Sequence, residues 1–190
     1  MASGFFSPVS IGTGDGPTLT AASAATCLPV SAKFTFPPNS IVQGSLLKIS
    51  AQGRISNAVT TPGTARLDVR LGGTVIFDTG ALALNAVAKT TLPWWFEAVI
   101  VCRANGTTGN FFGFGRFQSE SVVGSGLASA GGSGSLISAV SGGPETAPAV
   151  GGSVDLTVAA AFDVFFTQTV ATGSFTVHNF LLETGSIATT

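Results

Sequence analysis

The stretch Thr64-Ala65-Arg66-Leu67-Asp68-Val69-Arg70-Leu71-Gly72-Gly73-Thr74-Val75-Ile76-Phe77 decides the fold class. Ala65, Leu67, Val69 and Leu71 alternate with Arg66, Asp68 and Arg70. This period of two sends one set of side chains into a core and the other outward. Gly72-Gly73 tolerates the positive φ of a two-residue hairpin turn, so Thr74–Phe77 returns antiparallel to the first strand.

The same reading extends in both directions. Downstream, Asp78-Thr79-Gly80 is a turn and Ala81–Leu84 a short strand. Leu92–Ala104 is a long strand with Trp95, Ala98, Ile100 and Cys102 among its apolar positions. Asn105-Gly106-Thr107-Thr108-Gly109 is a connection rich in residues that accept positive φ. Asn110–Glu120 then returns, with Phe112 and Phe114 or their neighbours expected inward. Gly113 and Gly115, set between aromatics, imply a sharply coiled strand or rings packed over bare backbone. Val154–Val158, Phe162–Val170 and Ser174–Glu183 complete the downstream strands.

Upstream, Lys33–Phe36 is a short strand closed by Pro37-Pro38-Asn39. Ser45–Ser56 places Leu47, Ile49, Ala51 and Ile55 on one set of faces, and Gly53 marks a bulge or a close backbone approach. No segment has a 3.6-residue apolar period. The expectation is therefore an all-β, antiparallel two-sheet sandwich of jelly-roll type. An up-and-down barrel or an immunoglobulin-like sandwich is the alternative arrangement.

At 190 residues the chain fits one domain. Residues 1–31, with Asp15 as their one charge, read as an extended N-terminal arm lying on its own domain or on a neighbour. Residues 32–190 read as the jelly-roll domain. It contains a Gly/Ser/Ala-rich excursion at about 122–153, either a disordered linker or a loop ordered by neighbouring subunits.

Charge sets the expected function class. Only 9% of residues are Asp, Glu, Lys or Arg, and the formal net charge is −1, against roughly 25% charged residues in an ordinary soluble domain. Such a surface gains little repulsion and favours self-association. Eight basic residues against nine acidic ones supply no face for nucleic acid. No run approaches the twenty apolar residues of a spanning helix. The opening MASGFFSPVSIGTGDG lacks a secretory signal, so assembly in a cytoplasm is expected.

No catalytic, cofactor or metal site is expected. His178 is the one imidazole, and Cys27 and Cys102 are widely separated, which excludes a zinc cluster. Both cysteines are expected as buried thiols. Nothing in the spacing of Glu97, Glu120, Asp155, Asp163 and Glu183 pairs two carboxylates at one site. Adjacent strand residues face opposite ways, so only one of Trp94 and Trp95 is free to stack on a sugar, and Trp94 is the candidate.

Three stretches carry a resemblance. They are LTAASAATCLP (19–29) before KFTF, LDVRLGGTVIFDTGALALN (67–85) and WFEAVIVCRANGTTGNFFGFGRFQSE (95–120). Together they resemble virion structural proteins of tailed bacteriophages, whose jelly-roll domains are similar to the trimeric tumour-necrosis-factor fold. The resemblance covers about Leu19–Glu120. It implies a capsid decoration (cement) protein on the outer surface of the head, non-enzymatic and without cofactor. Its partners would be itself, as a homotrimer, and the major capsid protein, with no direct nucleic acid and no membrane. A neck, tail or fibre component with a receptor- or glycan-binding jelly roll is the alternative. Subunit contacts are expected at Phe111, Phe112, Phe114, Phe117, Phe162, Phe165 and Phe166, and shell contacts at Phe5, Phe6 and Ile11 of the arm.

Overall fold

The computed structural model describes residues 6–57, 61–125, 136–140, 151–171 and 173–185. In chain order the elements are β1 (Phe6–Ile11), β2 (Ala25–Thr26), a 3-10 turn at Val30–Ala32, β3 (Phe34–Phe36), β4 (Leu46–Asn57), β5 (Thr64–Leu71), β6 (Thr74–Asp78) and β7 (Leu82–Leu84). They continue with β8 (Lys89–Ala104), β9 (Gly109–Ser119), β10 (Val122–Ser125), β11 (Leu136–Val140), β12 (Gly151–Val154), β13 (Ala160–Gln168) and β14 (Ser174–Gly185).

Two antiparallel sheets form a sandwich. The first runs β1-β14-β4-β8-β9-β11, with β12 also on β9. The second runs β10-β7-β5-β13-β2, with β3 also on β13 and β6 on β5. Taking β1, β3, β4, β5, β7, β8, β13 and β14 as eight consecutive strands, the first, eighth, third and sixth lie side by side in one sheet. The second, seventh, fourth and fifth lie side by side in the other. This is jelly-roll order, and β9 to β12 are an insertion between its sixth and seventh strands.

Alternation drives the packing as expected for β4 and β5. Leu47, Ile49, Ala51 and Ile55 are buried, as are Ala65, Leu67, Val69 and Leu71. Gly72 and Gly73 have φ of 59° and 85°, the pair of positive values that closes the β5–β6 hairpin. In β9 the inward residues are Phe111, Gly113 and Phe117, while Phe112 and Phe114 face outward. Phe77 of the opposite sheet fills the space above the glycines. A Cβ added at Gly113 would lie 3.0 Å from Phe77 Cδ2, and one at Gly115 3.0 Å from Phe77 Cζ. The aromatic-over-backbone reading is therefore the one the molecule adopts.

Described parts of the excursion expected at about 122–153 join the sheets, and residues 126–135 and 141–150 lie outside the described residues. Val122–Ser125 pairs with β7, and Leu136–Val140 and Gly151–Val154 pair with β9. The strand expected at Val154–Val158 ends at its first residue. The Asp155 carboxylate accepts the Thr157 backbone N–H at 2.9 Å and turns the chain there.

The described part of the N-terminal arm is built into the domain. β1 pairs with β14, and beyond it Gly12 and Gly16 donate their N–H groups to the Phe180 and Val177 carbonyls at 2.8 Å. Leu19 and Phe175 exchange backbone bonds of 2.9 and 3.0 Å. Residues 6–19 thus run as a strap along β14. Gly16 is required there, since any Cβ would collide with the Cys27 carbonyl oxygen.

A four-ring stack crosses the core. Phe117, Trp94, Phe175 and Phe166 follow one another with centroid separations of 5.7, 4.5 and 3.9 Å and interplanar angles of 12°, 17° and 6°. Phe166 comes from the second sheet and the other three from the first, so the stack ties the layers together.

Candidate functional site: the outer face of the first sheet

Strand pairing arranges the outward side chains of β14, β4, β8 and β9 in rows. One row is Asn179, Gln52, Trp95 and Gln118; the next is Leu181, Ser50, Glu97 and Arg116. Below them come Glu183, Lys48, Val99 and Phe114, and then Gly185, Leu46, Val101 and Phe112. The Glu97–Arg116 pair, with Arg116 Nη2 donating to Glu97 Oε2 at 2.9 Å, divides this face into two unlike halves.

The lower half is apolar where β8 and β9 meet. Phe114 is 63% exposed and Val99 44%. Phe112 packs edge-on against Phe114 at 5.1 Å, with the Arg103 guanidinium 4.0 Å over its own ring. At the far side Phe6 lies over Gly185 and beneath Lys48 Nζ, 5.5 Å from the ring centroid. Lys48 in turn pairs with Glu183 at 2.9 Å.

The upper half is a groove of about 450 Å³ lined by Gln52, Gly53, Pro93, Trp94, Trp95, Gln118, Ser119 and Glu120. Trp95 is half-buried, and the Arg116 guanidinium lies 4.8 Å over its ring. Its Nε1 is buried and has no hydrogen-bond partner among the described residues. Gln118 makes no side-chain hydrogen bond among the described residues, and Gln52 only accepts from Asn179 at 3.5 Å.

Several expected positions move. Phe111, Phe117, Phe162 and Phe166 belong to the core between the sheets and are inaccessible to another subunit. The β-period puts them on the inner face, a parity that the glycines of β9 obscure. Phe165 is on the outer face of the second sheet, capped by the Arg70 guanidinium at 3.9 Å. Arg70 also grips Asp68 through two bonds of 2.8 and 3.1 Å, which hold its guanidinium above its ordinary pKa. Phe112 and Phe114 stay on the outer face of the first sheet, Phe112 beneath Arg103 much as Phe165 lies beneath Arg70. Phe6 and Ile11 are partly exposed on β1, and Phe5 lies outside the described residues. Trp94 is corrected outright: at 3% exposure it is a core ring that donates its indole N–H to the Thr176 carbonyl at 3.2 Å. Its neighbour Trp95 is the groove aromatic.

The remaining chemistry-bearing groups do not converge. His178 is the extra residue of a bulge in β14, and its partner among the described residues is the Asp15 carboxylate, at 2.8 Å. Cys27 and Cys102 are buried free thiols, and burial pushes both pKa values up, away from the nucleophilic thiolate. Among the described residues no three His, Cys, Asp or Glu side chains cluster as metal ligands, and no helix is long and apolar enough to cross a membrane.

No protein-family description matches the chain, and no curated protein matches it. Among solved structures, the CBM2 module of the evolved Dit of Lactobacillus casei BL23 phage J-1 is similar over 80% of this chain and 67% of that one. The identity is 12% and the TM-score 0.31.

Proposed function

We propose that this chain is a non-enzymatic structural subunit of a tailed-bacteriophage virion. In its finer form, the reading is a capsid decoration protein that trimerises and binds the coat-protein shell on the outer head surface. The observation that carries it is the apolar lower half of the outer face, where Val99 and Phe114 stand open on a regular sheet. In a chain with 9% charged residues, this patch is the kind of surface that like subunits cover. The jelly-roll order and the resemblance over Leu19–Glu120 supply the virion context.

Sedimentation of the full chain tests self-association. The expected result is a trimer that Phe114→Ser combined with Val99→Ser dissociates while the circular dichroism spectrum is kept. Attachment to the shell is read separately, by co-sedimentation with particles stripped of this chain. A monomeric wild-type protein overturns the trimer, and failure to bind stripped heads overturns the decoration role.

A further inference from the structure

We propose that the groove at Trp95 is a binding site for a neutral saccharide. Trp95 sits between Gln52 and Gln118 in direct register on the neighbouring strands. One aromatic ring is thereby flanked by two primary amides. Each amide offers two donors and one acceptor oxygen, the combination that vicinal sugar hydroxyls require. The ring supplies the complementary apolar contact, because the slightly positive C–H face of a pyranose meets the negative π face of an indole. Arg116, which does not line the groove, holds the ring from its own side and fixes the orientation before any ligand arrives.

Size and charge narrow the ligand class. At about 450 Å³ the groove falls within the range of small-molecule sites, roughly 300–1,000 Å³, and is far larger than an ion needs. Its lining contains one carboxylate, Glu120, which Lys89 faces at 3.8 Å, and no Lys, Arg or His, so an anionic ligand finds no cation in the lining to pair with. An extended peptide gains no ladder there, because the groove lies on a sheet face and β4, β8 and β9 already have partners on both sides. The site goes beyond the assembly role and is separated from the apolar half by the Glu97–Arg116 pair, so both surfaces serve at once.

The experiment is a titration of the full-length protein followed by NMR on the Trp95 indole N–H. The probes are maltotriose, cellotriose, N-acetylchitotriose, a galactose/rhamnose oligosaccharide panel and a proline decamer. At least one neutral sugar is expected to shift the indole signal saturably. Trp95→Ala, which lacks the indole reporter and is therefore read by calorimetric titration beside the wild type, is expected to weaken that sugar at least tenfold, and Gln118→Ala several-fold with the fold intact. The second variant keeps the test valid if the first fails to fold. The proposal is overturned if no sugar shifts the signal, if binding survives both substitutions, or if the proline decamer binds in place of every sugar.

Discussion

Gly53 and Trp94 are directly paired across β4 and β8, and a Cβ on Gly53 would come within 2.9 Å of the Trp94 indole nitrogen. The same Cβ would overlap the Thr176 carbonyl that this nitrogen bonds. A missing side chain on one strand is therefore what admits an indole on the next. Gly53→Ala is expected to destabilise the fold by about 1–3 kcal/mol through overpacking, and more if the indole bond is lost. Urea unfolding with an unchanged m-value checks it.

The two tryptophans should respond in opposite ways. Trp94→Ala removes the second ring of the core stack and should cost about 3–5 kcal/mol. Trp95→Ala trims a partly buried ring on the outer face and should cost less, about 1–2 kcal/mol, because no core stack is broken. Paired denaturation curves decide it; similar losses at both sites would contradict the assignment of faces.

Deleting residues 1–18 should loosen the domain as well as any shell contact. The strap contributes the β1–β14 ladder and the Gly12 and Gly16 bonds, each worth about 1 kcal/mol net. The expected result is a stability loss of several kcal/mol, with faster hydrogen exchange in β14. Unaltered exchange there would make the strap dispensable.

The thiols give an alkaline signature. Burial raises the pKa of both Cys27 and Cys102 in the folded state, so the native protein holds protons that the unfolded chain releases. Stability is then complete below the ordinary thiol value of about 8.5. It falls as pH rises from there toward the folded-state values, by at most about 1.4 kcal/mol per pH unit for each thiol. The chain has no tyrosine, which leaves this window open to view. Urea midpoints between pH 7 and 10, compared with Cys27→Ala, measure the effect.

The central strands and the jelly-roll class were legible because β5 and its Gly72-Gly73 hairpin alternate strictly and β4 does so loosely. The facing of β9 was not: Gly113 and Gly115 carry no hydropathy signal, and the ring that covers them, Phe77, lies in the other sheet. Of the seven phenylalanine candidates in FFGFGRF and Phe162–Phe166, Phe112, Phe114 and Phe165 face outward and the other four are core. The pairing of strands β10 to β12 was hidden because these strands, 4, 5 and 4 residues long, are set in Gly- and Ser-rich sequence that shows no alternation. The strap on β14 was foreseen as contact but not as strand, since its Gly and Pro content resembles a loop. The choice between Trp94 and Trp95 depended on register with Gly53, which needs the β4–β8 pairing and cannot be read from β8 by itself.

Pairing β14 with β1 and β4 also dictates when the protein can finish folding. Both neighbours of β14 leave the ribosome more than 100 residues before it does, an interval of roughly ten seconds at ordinary synthesis rates. Until then β4 exposes a bare edge, and the nascent chain must be kept from joining another nascent copy there. Crowded translation would make that interval the stage at which yield is most easily lost.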